Sequence, residues 1–171
     1  SRLDNNYTDR DFELGSMGGY YTYDEIVNLI YDLESSYPDL VHTEVIGFSL
    51  EGRDVIALKI SDNVEYDENE PEVLYTGLHH AREPMSFMNL YYFIYWLLEN
   101  YEADHQAKNI LDNRELWFIP IVNPDGYEYN REIAPNGGGM QRKNRKDTCF
   151  NDNNSSDWDG IDLNRNYGYQ F

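Results

Sequence analysis

Two histidines, an arginine and a glutamate fall within "YTGLHHAREP", Tyr75 to Pro84, directly after an apolar, strand-like run. His80 and Glu83 stand three residues apart at the junction of a strand end and a helix start, so both side chains can converge on one ion while His79 points to the opposite face. Imidazole nitrogen and carboxylate oxygen are both zinc donors. Taken alone, His-x-x-Glu fits equally well two polar residues at a helix N-terminus. His42 and His105 have no partner at such a spacing and read as surface residues.

A second group lies toward the other end of the chain. Of the 13 lysines and arginines, Arg131, Arg142, Lys143, Arg145, Lys146 and Arg165 fall between positions 131 and 165, a cationic concentration in an otherwise acidic chain. It would draw a substrate carboxylate, although Lys143 and Lys146 read better as a solvated loop balanced by nearby acids. In "GIDLNRNYG", Gly160 to Gly168, Asn164 and Arg165 set an amide beside a planar fork, a pair suited to gripping a carboxylate bidentately. Asp162 is able to accept a ring N–H from His80 and hold that ring for a metal. A third group, Asp67, Glu68, Glu70 and Glu72 in "DNVEYDENEPE" with Glu115 on an adjacent strand, offers the oxygen-rich set that suits calcium. A solvated acidic turn accounts for it as well.

The elements that position these groups alternate. "TYDEIVNLIYDLESSYP" carries a capping box, Thr22 with Glu25, then Ile26, Leu29, Ile30 and Leu33 at helical spacing before Pro38. "LVHTEVIGFSLEGRDVIALKIS" reads as two strands around Glu51 and Gly52, and "EVLYTGLHH" as a third. Pro84 stands where a first helical turn tolerates it, and "MSFMNLYYFIYWLLENY" is apolar almost all round, as a buried helix is. A shorter helix covers Ala103 to Leu111, "ELWFIPIV" is a fourth strand, and "NPDG", Asn123 to Gly126, is a turn. Strand, helix, strand in this order predicts a parallel pair and an α/β fold. Beyond Gly126 the periodicity fades into glycine- and asparagine-rich sequence that reads as loops, which in α/β proteins carry the site.

Composition narrows the function classes. The 171 residues, 40% hydrophobic and 15% aromatic, suffice for a core. A formal net charge of -19 repels a phosphate backbone, so nucleic acid is not an expected partner. The longest apolar stretch, Met85 to Leu98, contains Ser86 and Asn89 and is too short to span a bilayer, so no membrane partner is expected either. The single cysteine, Cys149, cannot close an internal disulfide and leaves the redox compartment open.

Together, "HARE", "NPDG", "RKNR" and "DLNRNYGY" resemble, in order and approximate spacing, the zinc metallocarboxypeptidases, in particular secreted bacterial members akin to carboxypeptidase T. The resemblance runs from about Tyr20 to Phe171 and includes "SLEGRDVIALKISDN". It implies a mixed, largely parallel twisted sheet flanked by helices, and removal of C-terminal residues from peptides and proteins by an exopeptidase holding one zinc ion. His80 and Glu83 would be zinc ligands and Asp162 the partner of His80. Asn164 and Arg165 would dock the terminal carboxylate, Arg142 would stabilise the oxyanion, and Arg82 would touch substrate. The family's third ligand, general base and capping tyrosine lie beyond Phe171, so the chain is expected to be the N-terminal half of a catalytic domain, inactive by itself. Residues 12–171 would form that part. Residues 1–11 read as a tail or the linker to a cleaved propeptide, itself a candidate partner. A secreted or periplasmic setting follows, and Cys149 would pair with a cysteine further along. The alternatives are a carboxypeptidase-like binding module without activity, and a related zinc amidohydrolase or cell-wall peptidase.

Overall fold

A computed structural model describes residues 13–148 and 159–168; Cys149 and the first twelve residues, with the expectations placed on them, lie outside the described residues. Helix α1, Tyr23–Ser36, begins where the sequence predicts: the Thr22 side chain accepts from the Glu25 N–H, and the Glu25 carboxylate accepts from the Thr22 N–H at 2.7 Å. Its buried stripe is Ile26, Ile30 and Leu33. Strands β1, Val41–Phe48, and β2, Asp54–Ile60, pair antiparallel with a register shift between Val45 and Gly47. Gly52, at φ 82, takes the left-handed corner of the connecting turn.

Strand β3, Glu72–Thr76, leads into α2, Met85–Asn100, then α3, His105–Leu111, and returns as β4, Glu115–Ile119, parallel to β3. Helix α3 starts two residues later than its sequence suggests because Asp104 caps it, accepting from the Gln106 and Ala107 N–H groups. Because β2 pairs antiparallel with β4, the sheet is mixed, in the order β1-β2-β4-β3, and the fold is α/β with helices against the sheet. Phe87, Ile94, Leu97 and Leu98 of α2 are buried, and Tyr75 stacks on Phe118 with ring centroids 5.0 Å apart. At the β3 end of the described sheet, Leu74 is 61% exposed. None of the described helices is long and apolar enough to cross a membrane.

One expectation fails. "NPDG" does not end in loop: it opens helix α4, Pro124–Ile133, with Asn123 as cap and proline in the first turn. The helix escaped an apolar-periodicity reading because much of what it buries is polar, namely Asp125, Glu128 and Asn130 beside Gly126 and Tyr127.

Candidate metal and carboxylate site

The turn after β3 is built from both strand ends. The Gly77 N–H donates to the Ile119 carbonyl and the Val122 N–H to the Gly77 carbonyl, 3.0 Å each, so the β3 and β4 exits run together. A Cβ on Gly77 would lie 2.7 Å from the Pro120 carbonyl oxygen, which explains the glycine. Leu78 then adopts φ 50, a left-handed conformation unusual for leucine. Its N–H donates to Ser86 Oγ at 2.9 Å, its carbonyl accepts from the Asn123 N–H at 3.1 Å, and its side chain is 1% exposed. This turn delivers His80, itself buried at 6% exposure.

His80 Nδ1 lies 2.9 Å from Glu83 Oε2, and His80 Nε2 lies 3.2 Å from Asp162 Oδ1. Arg142 Nε donates to Asp162 Oδ2 at 3.0 Å, and its guanidinium stands 3.6 Å from Glu83 Oε1. Burial pushes the Asp162 carboxyl up, but Arg142 and His80 outweigh it and hold the carboxyl below its ordinary value. Asp162 is therefore an anion that accepts the His80 Nε2–H. The other ring nitrogen, Nδ1, then stands against Glu83 Oε2, an imidazole nitrogen and a carboxylate oxygen at contact distance. Their separation is close to the roughly 3.3 Å that bond lengths to a tetrahedral zinc give two ligand atoms, so the donor set fits that metal.

Asp162 also caps the short 3₁₀ turn Leu163–Arg165, accepting from the Asn164 N–H at 3.1 Å. Asn164 and Arg165 are exposed on that turn, and Arg165 Nη1 donates to the Asn164 carbonyl at 2.8 Å. Arg82 is exposed and borders a cavity of about 190 Å³ lined also by Met17, Tyr20, Pro84 and Met140. Two other cations of the basic stretch meet partners: Arg131 bonds Glu128, and Arg145 lies 4.0 Å from Glu51 and 3.7 Å over the Tyr129 ring. His79, which sequence reasoning gave no partner, hydrogen-bonds the Tyr167 hydroxyl through Nε2. Burial, then the neighbouring His80, lowers the His79 pKa.

The acidic loop is partly neutralised from within. Asp67, Glu72 and Glu115 bring one carboxylate oxygen each within 4.8 Å of one another. Glu115, however, is ion-paired to Lys59 at 2.9 Å, and Glu68 meets it through its backbone N–H at 2.8 Å rather than its carboxylate. Burial first, then the charges of Glu68, Asp62 and Glu115, raises the Glu70 pKa.

The zinc carboxypeptidase family profile matches residues 26–171. The chain is 40% identical over 162 residues to a zinc carboxypeptidase of Saccharothrix mutabilis subsp. capreolus, covering 95% of this chain and 35% of that protein. It is 35% identical over 146 residues to an inactive metallocarboxypeptidase, ECM14, of Saccharomyces cerevisiae, covering 81% of this chain and 30% of that one. The crystal structure of the carboxypeptidase A from Helicoverpa armigera superposes with a TM-score of 0.74 at 29% identity, covering 90% of this chain and 35% of that one. The chain thus spans about a third of the length of these relatives. With that extent of match over the motifs that surround His80, the chain belongs to the zinc carboxypeptidase family.

Proposed function

We propose that these residues supply part of the active site of a zinc-dependent exopeptidase that cleaves the C-terminal peptide bond of peptides and proteins. The observation that carries the reading is the chain Arg142–Asp162–His80–Glu83, in which an anchored imidazole and a carboxylate meet at 2.9 Å. His80 and Glu83 would hold zinc, which supplies Lewis acidity toward a peptide carbonyl. Asp162 fixes the His80 tautomer and ring orientation. Asn164 and Arg165 dock the terminal carboxylate as a charge-assisted pair, and Arg142 faces the negative charge that develops on the carbonyl oxygen. Arg82, which borders the cavity, touches substrate. The protein's own propeptide is a second partner under this reading, and the secreted bacterial members it resembles imply a setting outside the cytoplasm.

The test is Arg165→Ala in the full-length polypeptide that carries these residues. kcat/KM for a peptide with a free C-terminal carboxylate should fall about a hundredfold or more, and that for the C-amidated peptide far less, since a lost charge-assisted contact to carboxylate is worth a few kcal/mol. Equal losses on both substrates refute the docking role. The 35% identity to an inactive relative raises a second reading, a binding domain without catalysis, which hydrolysis of either substrate by the unaltered polypeptide would exclude. Calcium at Asp67, Glu72 and Glu115 is opposed by the Lys59–Glu115 pair, which already neutralises one of the three carboxylates, and isothermal titration without heat above background at millimolar calcium would exclude it.

A further inference from the structure

Gln141, immediately before Arg142, is fully buried at 0% exposure although its side chain is polar, and the proposed chemistry gives it no part. Its backbone is paired as a strand would pair it, but by a side chain: the Gln141 N–H donates to Asn130 Oδ1 at 2.8 Å, and Asn130 Nδ2 donates to the Gln141 carbonyl at 2.9 Å. Asn130 lies on α4 and is 4% exposed. The Gln141 amide reaches the other way. Its Nε2 approaches three carbonyl oxygens, those of Lys143 at 3.1 Å, Asn144 at 3.2 Å and Asp159 at 3.2 Å. Flipping the amide would aim its oxygen at those three oxygens, so the NH₂ orientation is dictated by the surroundings. Gln141 Oε1 is left buried without a partner among the described residues, a cost an apolar residue would avoid.

The three carbonyls belong to the two segments that carry the site. The Arg142 carbonyl accepts from the Ala81 N–H at 3.1 Å, next to His80. Asn144 is laced to Ile161 by its N–H on the Ile161 carbonyl and its Oδ1 on the Ile161 N–H, directly before Asp162. Two approaches are close, since a Cβ on Gly139 would lie 2.5 Å from Asn130 Oδ1 and one on Gly126 2.7 Å from the Lys143 carbonyl oxygen, while Asn130 and Gly139 also border the cavity beside Arg82.

We infer that Gln141, locked to α4 through Asn130, is the positioning residue for Arg142, fixing the backbone from which its guanidinium meets Asp162. The inference rests on the reading of Arg142 as the group facing the carbonyl oxygen. Because Arg142 acts there on the transition state, displacement of its backbone lowers kcat and leaves KM alone.

The test uses Gln141→Met in the full-length polypeptide, a substitution that keeps length and removes the donors. kcat for a free-carboxylate peptide should fall roughly tenfold to a hundredfold with KM within about twofold, the scale of a small misplacement of a catalytic group. Introducing Gln141→Met into an Arg142→Ala background should cost almost nothing more, since the two act through one group. Losses that multiply, or a rise in KM with kcat unchanged, overturn the inference. Hydrogen exchange supplies a readout independent of catalysis: Gln141→Met, and Asn130→Asp should the first variant fail to fold, must deprotect the Ala81, Asn144 and Ile161 amides ahead of those in β2. Unchanged protection there overturns the lock. If Arg142→Ala alone leaves kcat unaltered, it is the functional reading that fails, and the exchange experiment still decides the lock.

Discussion

Removing the Lys59 ammonium should unbalance the inside of the protein more than any surface ion pair could. Lys59 and Glu115 face each other from β2 and β4 with side chains 5% and 2% exposed, and their charged atoms stand 2.9 Å apart. Lys59 also donates to the Tyr66 carbonyl at 2.5 Å and lies 6.0 Å over the Trp117 ring. At an effective dielectric of about 20, the direct attraction amounts to about 6 kcal/mol, most of it offset by the loss of hydration of both ions. In Lys59→Met the attraction disappears while the dehydrated carboxylate stays, with the Glu68 N–H at 2.8 Å as its remaining donor. The net loss should be about 3–5 kcal/mol, or about 6–20 °C in Tm for a chain of this size. Lys59→Met with Glu115→Gln removes both charges, preserves the acceptor for Glu68, and should cost no more than about 2 kcal/mol. Thermal and urea unfolding of the three proteins at pH 7 provide the comparison. A single variant within about 1 kcal/mol of the unaltered protein, or a double variant as unstable as the single one, would show that no strong coupling joins the two groups.

Two further expectations follow from the same interactions and from the site loops. Burial raises the Glu115 pKa, but the Glu68 N–H and Lys59 overcome this and hold it below its ordinary 4.5, so its stabilisation is complete above that pH. It should be lost as the pH falls from 4.5 through the depressed value, whereas Lys59→Met should show a shallower acid loss in unfolding midpoints measured from pH 6 to 3. Gly160→Ala should cost about 3 kcal/mol or more by denaturant unfolding, because φ is 109 and the new Cβ would lie 2.0 Å from the Asn144 carbonyl oxygen. Gly138→Ala, at φ 97 with nothing within 4 Å, should cost only about 1–2 kcal/mol and separates strain from collision.

The parts legible in the sequence were those whose cause is local. A capping box, a stripe of Ile26, Ile30 and Leu33, and two β-rich runs around Gly52 announce α1 and the β1–β2 hairpin because each signal lies within one turn or one pleat. Helix α4 was missed because Asp125 faces Ser49 and Arg53 from the hairpin turn, so a buried helical position carries a carboxylate in place of an aliphatic group. The same divide runs through the site. His80 and Glu83 are neighbours in sequence, and a ring and a carboxylate 82 positions apart could be matched by chemistry alone. Nothing local distinguishes Gln141 from any loop glutamine, or Tyr167 from the other 15 tyrosines; their roles come from partners 11 and 88 positions away.

Leu78 ties the site to the interior in a way that bears on how the protein fails. A leucine in the left-handed region carries about 1–3 kcal/mol of backbone strain, and it persists here because the side chain is enclosed and both backbone groups are bonded. The conformation that presents His80 is thus a tension held by the core. When heat or denaturant loosens the packing around Leu78, the turn should relax toward ordinary φ values while helices and strands still persist. Metal affinity should then decay before circular dichroism does, making the ligand turn an early reporter of loss of the native state.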